Sequence, residues 1–238
     1  MGTDRLLVVG AAGDVGQGIV AEALASGRQV VAAGRNADRL ASLAARHAGA
    51  ALACVAGDIA SEAGAEALWR DAEAAFGGID AVVVSVNVPG RPAKLVQSSA
   101  YEIAALFEAN VLTHFQAARA FLPRLPATGM LIGIGGGTAD IIFPGLAAIS
   151  MAQAALRMLY RGLAKEGRDG AQVRELMIVS MVAGASNRDS APDDWVTDRD
   201  VGRHVCAILD APDRFPKPVL QLRSRAHAGL PEPEESGR

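Results

Sequence analysis

Leu6-Leu7-Val8-Val9 runs into Gly10-Ala11-Ala12-Gly13-Asp14-Val15-Gly16, and this stretch decides the fold. Four apolar residues that stop at a glycine read as a strand buried on both faces, as in a parallel sheet. Residues 16–26 then read as a helix in which Ile19, Val20, Ala23 and Leu24 share a face. A glycine-rich loop between strand and helix is the arrangement that cradles a dinucleotide. Gly10 permits the tight turn, while Gly13 and Gly16 let backbone approach phosphate and helix approach sheet. Amides at the helix start then face negative oxygens. Gly10, Gly13, Asp14, Val15 and Gly16 are therefore expected at a cofactor.

The alternation continues through the chain. Apolar strands are expected at 29–33, 51–55, 81–85, 130–134, 174–182 and 218–222. Helical patterns occupy 38–47, 61–76, 99–122, 145–166 and 199–209, the first of these capped by Asn36 or Asp38. Residues 184–198, polar and acidic with Asp193, Asp194 and Trp195, read as a loop or lid. Strand–helix alternation of this kind predicts an α/β fold, a Rossmann-type doubly wound parallel sheet in a three-layer αβα arrangement. Residues 1–230 form one domain in this reading. The acidic, proline-bearing tail, 231–238, is expected to be disordered.

Composition narrows the function classes. A formal net charge of -3, with acids and bases mixed, gives no reason to expect nucleic acid or anionic lipid as a partner. No run approaches the ~20 apolar residues of a membrane span. The glycine loop interrupts the first apolar run before a secretory core forms, so a cytoplasmic protein is expected. Cys54 and Cys206 are far apart and read as free buried thiols; no cysteine or histidine spacing suggests a metal.

The end of the second strand selects the cofactor. An acid usually holds a free adenosine ribose there. This chain has Gly34, Arg35 and Asn36. Arg35 can pair with a 2′-phosphate and stack on adenine, which favours NADP(H) over NAD(H). Asp58-Ile59, closing the third strand, is placed to hold the adenine edge.

With these residues in hand, the chain resembles the short-chain dehydrogenase/reductase family over nearly its whole length. The glycine spacing matches the family loop in a divergent form, with Asp14 where another glycine is commoner. Asp58-Ile59 matches the adenine-side Asp. Val84-Ser85-Val86-Asn87 stands at the family's Asn-Asn-Ala-Gly signature without keeping it, leaving Ser85 and Asn87 on the cofactor side. Asn110 matches the asparagine that holds a water in the family. The resemblance implies a sheet of about seven strands, a nicotinamide cofactor, and a homodimer or homotetramer built on the long helices.

The same register removes the usual catalytic groups. Gln153-Ala154-Ala155-Leu156 places Gln153 at the lysine position, Ile149 at the tyrosine position and Gly136 at the serine position. Of the four polar residues Asn110 alone remains. Carbonyl reduction needs a proton donor where charge develops on oxygen, and Ile149 is none. Gln153 can still donate to a nicotinamide ribose without bringing charge. Gly136 is expected to widen the pocket or expose its N–H. Asp140 and Thr138 are weak replacement candidates. Three readings stay open: an oxidoreductase on a carbonyl or alcohol by a non-standard proton route, an inactive nucleotide-binding sensor or scaffold, and non-redox chemistry in the same pocket.

Overall fold

Seven apolar strands pair in parallel in the order β3-β2-β1-β4-β5-β6-β9, in a computed structural model that describes residues 4–167 and 170–232. They are β1 (Arg5–Val9), β2 (Gln29–Gly34), β3 (Leu52–Ala56), β4 (Ala81–Val84), β5 (Met130–Gly136), β6 (Gln172–Ile178) and β9 (Val219–Leu222). Two short segments, β7 (Val182–Ala183) and β8 (Val196–Thr197), form a separate parallel pair. The helices are α1 (Asp14–Ala25), α2 (Ala37–Arg46), α3 (Glu62–Phe76), α4 (Ala100–Phe107), α5 (Thr113–Phe121), α6 (Ala147–Glu166) and α7 (Asp198–Asp210). The result is the Rossmann-type αβα sandwich. Strand order reverses between β1 and β4, which opens a crevice at the carboxyl ends of those strands.

Side-chain alternation splits the core in two. Leu6, Val8, Val30 and Ile132 face α1, α2 and α7. Leu7, Val9, Val82 and Leu131 face α3, α5 and α6. Almost all of these side chains are fully buried, as expected of a sheet covered on both faces.

The structure corrects several boundaries. The expected 99–122 helix is not continuous: a π-helical turn, Glu108–Leu112, separates α4 from α5. α1 begins inside the glycine loop, at Asp14, because extended Gly13 already serves as its N-cap. Asn36, not Asp38, caps α2, accepting the Arg39 N–H at 2.9 Å. The 174–182 strand stops at Ile178, where its partner β9 also ends. The chain then turns to Val182–Ala183, whose pairing with Val196–Thr197 ties down both ends of the expected lid. Cys54 is exposed rather than buried, because β3 is an edge strand; Cys206 is buried. Of the expected disordered tail, Pro231 and Glu232 are placed, with Glu232 accepting from the Gln221 N–H at 2.6 Å and from Lys217 at 2.8 Å. The rest of that expectation, 233–238, lies outside the described residues. Among the described residues no helix is long and apolar enough to cross a membrane.

Candidate functional site

A cleft of about 470 Å³ opens at the switch point. Gly10, Ala12 and Gly13 line its phosphate-facing side, and Gly34, Arg35, Asn36, Arg39, Asp58 and Ile59 its outer end. Ser85, Val86, Asn87 and Val88 continue the wall inward, toward Glu108 and Thr113. The close approach that glycine permits is real here. Gly10 has φ +81°, and a Cβ on it would lie 2.2 Å from the Ser85 carbonyl oxygen. A Cβ on Gly16 would lie 2.2 Å from the Gly10 carbonyl oxygen. Any larger residue would push α1 off the loop.

The start of α1 carries no side-chain cap. Its first amides are donors without a helical acceptor, which suits an anion. Arg35 and Arg39 are exposed beside Asn36, and neither makes a side-chain ion pair among the described residues. Arg39 went unremarked in the sequence because its partner in space, Arg35, is on the preceding loop. Asp58 is exposed and accepts the Ala60 N–H at 3.0 Å, so one carboxylate oxygen shapes its own turn. Ile59 is buried. The donor set fits a dinucleotide.

Four expected cofactor residues, Asp14, Val15, Gly16 and Gln153, do not line the cleft. Asp14 turns away: its carboxylate accepts the Ser186 N–H at 3.0 Å and the Ser186 hydroxyl, clasping the 184–190 segment to α1. Val15 packs partly buried against the core. Gly16 is buried behind Gly10.

The segment replacing the family signature is held by three buried polar side chains. His114, on α5, donates from Nε2 to the Val86 carbonyl at 2.9 Å. A carbonyl can only accept, so Nδ1 is the unprotonated nitrogen and accepts the Tyr160 hydroxyl at 3.0 Å. Burial pushes the His114 pKa down to about 4, against a small opposing effect of the Val86 bond. Gln153, on α6, donates from Nε2 to Asn87 Oδ1 at 3.0 Å. Asn110, in the π turn, accepts the Val88 N–H at 2.8 Å and donates to the Val88 carbonyl at 3.0 Å and the Leu106 carbonyl at 2.9 Å. Its amide is spent on backbone, so it acts here as a clamp on Val88. His114 was not legible in the sequence, because a lone histidine inside a helical pattern carries no motif.

Gly136 does not expose its N–H as expected: it donates to Gln153 Oε1 at 2.7 Å. Gln153 thus bridges Gly136 and Asn87, and is buried. Ile149 is half-buried at the start of α6. Asp140 is paired with Arg157, which removes it as a free acid. Tyr101, at the start of α4, is 81% exposed. Tyr160 sits in the core with its ionisation pushed up, chiefly by burial. Among the described residues no group of three or more metal-ligating side chains is gathered.

The model of the family described as short chain dehydrogenase matches residues 4–188. An uncharacterised oxidoreductase of Staphylococcus aureus is 27% identical over 194 residues, covering 78% of this chain and 83% of that protein. A 2,3-dihydroxy-2,3-dihydro-p-cumate dehydrogenase of Pseudomonas putida is 32% identical over 174 residues, 70% of this chain and 66% of that one. Among solved structures, a short-chain dehydrogenase/reductase from Serratia marcescens superposes with a TM-score of 0.81 at 20% identity, covering 96% of this chain and 98% of the other.

Proposed function

This chain belongs to the short-chain dehydrogenase family, and within it we propose that the protein is an NADP(H)-dependent oxidoreductase acting on a carbonyl or alcohol. The observation that carries this reading is the pair of guanidiniums, Arg35 and Arg39, without an ion pair among the described residues and set at the outer end of a glycine-loop cleft. Gly10, Gly13 and the first amides of α1 hold the pyrophosphate, Arg35 and Arg39 the 2′-phosphate, and Asp58 with Ile59 the adenine edge. Ser85, Asn87 and Gln153 border the nicotinamide end. When bound, the cofactor supplies hydride transfer.

The chain's own residues position and enclose but do not move the proton. Gly136, Ile149 and Gln153 offer no group that ionises in the working range, so the proton is exchanged with water or with the substrate itself. A rate measured in single turnovers of bound NADPH with a carbonyl panel tests this. The rate should stay level with pH, because water and substrate are proton sources whose supply does not change with pH, and no inflection should mark a side-chain acid. An inflection near neutrality would assign the proton to a side chain, and no turnover with NADPH bound would overturn the oxidoreductase reading.

A second reading, a nucleotide-holding sensor or scaffold without turnover, is favoured by the Gln153 bridge. That bridge ties down the position where the family places a cation. Gly136→Ser with Ile149→Tyr and Gln153→Lys separates the two. A Cβ at Gly136 would come no nearer than 3.6 Å to Gln153, so serine fits, and activity on simple dicarbonyls should appear or increase if the cleft is otherwise sound. We extend the proposal to a homodimer or homotetramer in the cytoplasm. Exposed Phe115, Met151 and Met158 on α5 and α6 supply apolar area for the contact.

A further inference from the structure

Glu175 is the least expected residue in the sheet. It lies on β6, fully buried, and neither carboxylate oxygen has a hydrogen-bond partner among the described residues. Space for it is made by glycines on the neighbouring strand. A Cβ on Gly135 would lie 2.1 Å from Glu175 Oε1, and one on Gly133 would lie 2.1 Å from the Tyr160 ring. Above this gap runs the Arg157–Tyr160 turn of α6. Arg157 reaches from that turn to Asp140 with one guanidinium nitrogen, yet its Nε is buried and unpartnered too. Two orphaned groups of opposite kind thus face one region of the core, and each would satisfy the other.

The charged and titratable groups around Glu175 are few. β5 offers none, since Gly133 and Gly135 face it. α6 offers Arg157 and Tyr160, the 137–146 loop offers Asp140, and β9 presents Val219 in register. His114 stands behind Tyr160 and is held neutral by burial. Burial drives the Glu175 carboxyl up to about 7, Arg157 opposing and Asp140 assisting.

We propose that Arg157 is shared between two carboxyl groups, and that the Glu175 proton decides which one holds it. With Glu175 protonated, Arg157 pairs with Asp140 and clamps the 137–146 loop onto α6, the arrangement seen here. With Glu175 ionised, Arg157 turns inward to the buried charge, because an unpaired buried carboxylate costs more than an exposed ion pair returns. Asp140 is then released. The loop keeps its bond from the Ala93 N–H to the Gly145 carbonyl at 3.0 Å but loses its anchor to the helix. That loop follows Gly136 directly and carries exposed Ile141, Ile142 and Phe143. The switch is independent of what the cleft binds.

Hydrogen exchange of residues 138–146 in the nucleotide-free protein, corrected for intrinsic rates, tests the proposal between pH 6 and 8.5. Protection should fall at least tenfold across that range in the wild type. Glu175→Gln should remove the step and keep the loop protected throughout. Arg157→Gln should also remove the step, leaving the loop fast at both ends, and stands as the test should Glu175→Gln fail to fold. A flat wild-type profile, or a step that survives in either variant, would overturn the proposal.

Discussion

Glu175 and His114 make opposite demands on pH, and both follow from burial. The Glu175 carboxyl is about 7 in the folded protein, against 4.5 for an ordinary glutamate. Folding therefore binds a proton more tightly, and stability falls as pH rises from 4.5 to 7. At about 1.4 kcal/mol per unit this is at most ~3 kcal/mol. His114 lies near 4 against 6.5, so its share of stability is present above 6.5 and is lost as pH falls toward 4. Glu175→Gln should then leave stability near pH 4 unchanged and raise it at pH 8, as read from urea midpoints. A variant no more stable at pH 8 would show that ionising the buried carboxyl carries no net cost. Neither residue was legible in the sequence. A glutamate in an apolar run looks like a strand-edge residue, and only the glycines at 133 and 135 on another strand make its burial possible.

At the level of elements, the π turn at Glu108–Leu112 is where sequence and structure part most clearly. Apolar periodicity runs through 99–122 and gives no hint of an interruption. The cause is Asn110, whose amide is bound to Val88 on both backbone groups and to the Leu106 carbonyl. Asn110→Leu would remove the two bonds to Val88 and the one to the Leu106 carbonyl. Each such bond contributes about 0.5–1.5 kcal/mol net. Thermal denaturation should show a midpoint lower by roughly 3–18 °C, using 2–4 °C per kcal/mol for a chain of this size. An unchanged midpoint would mean that Val88 finds other partners. The strands and α6 were legible because buried parallel strands are continuous apolar runs and glycines mark their ends. The lid was legible only as polarity, since the Asp14 clasp and the β7–β8 pair join residues far apart in the chain.

Across the whole molecule, the glycine-loop end of the cleft presents groups that suit a nucleotide, while the register expected from the family resemblance puts Gly136, Ile149 and Gln153 where proton-transfer groups are usual. The glycine loop, Arg35 and Asp58 stand near strand ends, where a short stretch of sequence and the fold together specify position. The inner wall does not reveal itself this way. His114, Gln153 and Asn110 converge on residues 85–88 from three helical segments, and no local motif announces that convergence. Their common effect is a rigid wall, built without the family's usual signature, against which a nicotinamide can be placed.

In the proposed function, Arg35 is the residue through which this cleft selects NADP(H). Calorimetric titration of nucleotide-free protein with NADPH and with NADH, repeated on Arg35→Ala, tests it most directly. The account predicts micromolar binding of NADPH, much weaker binding of NADH, and a loss of about 10–100-fold for NADPH alone in the variant, the range of one charge-assisted contact. Equal affinity for the two nucleotides, or binding of neither, would contradict it.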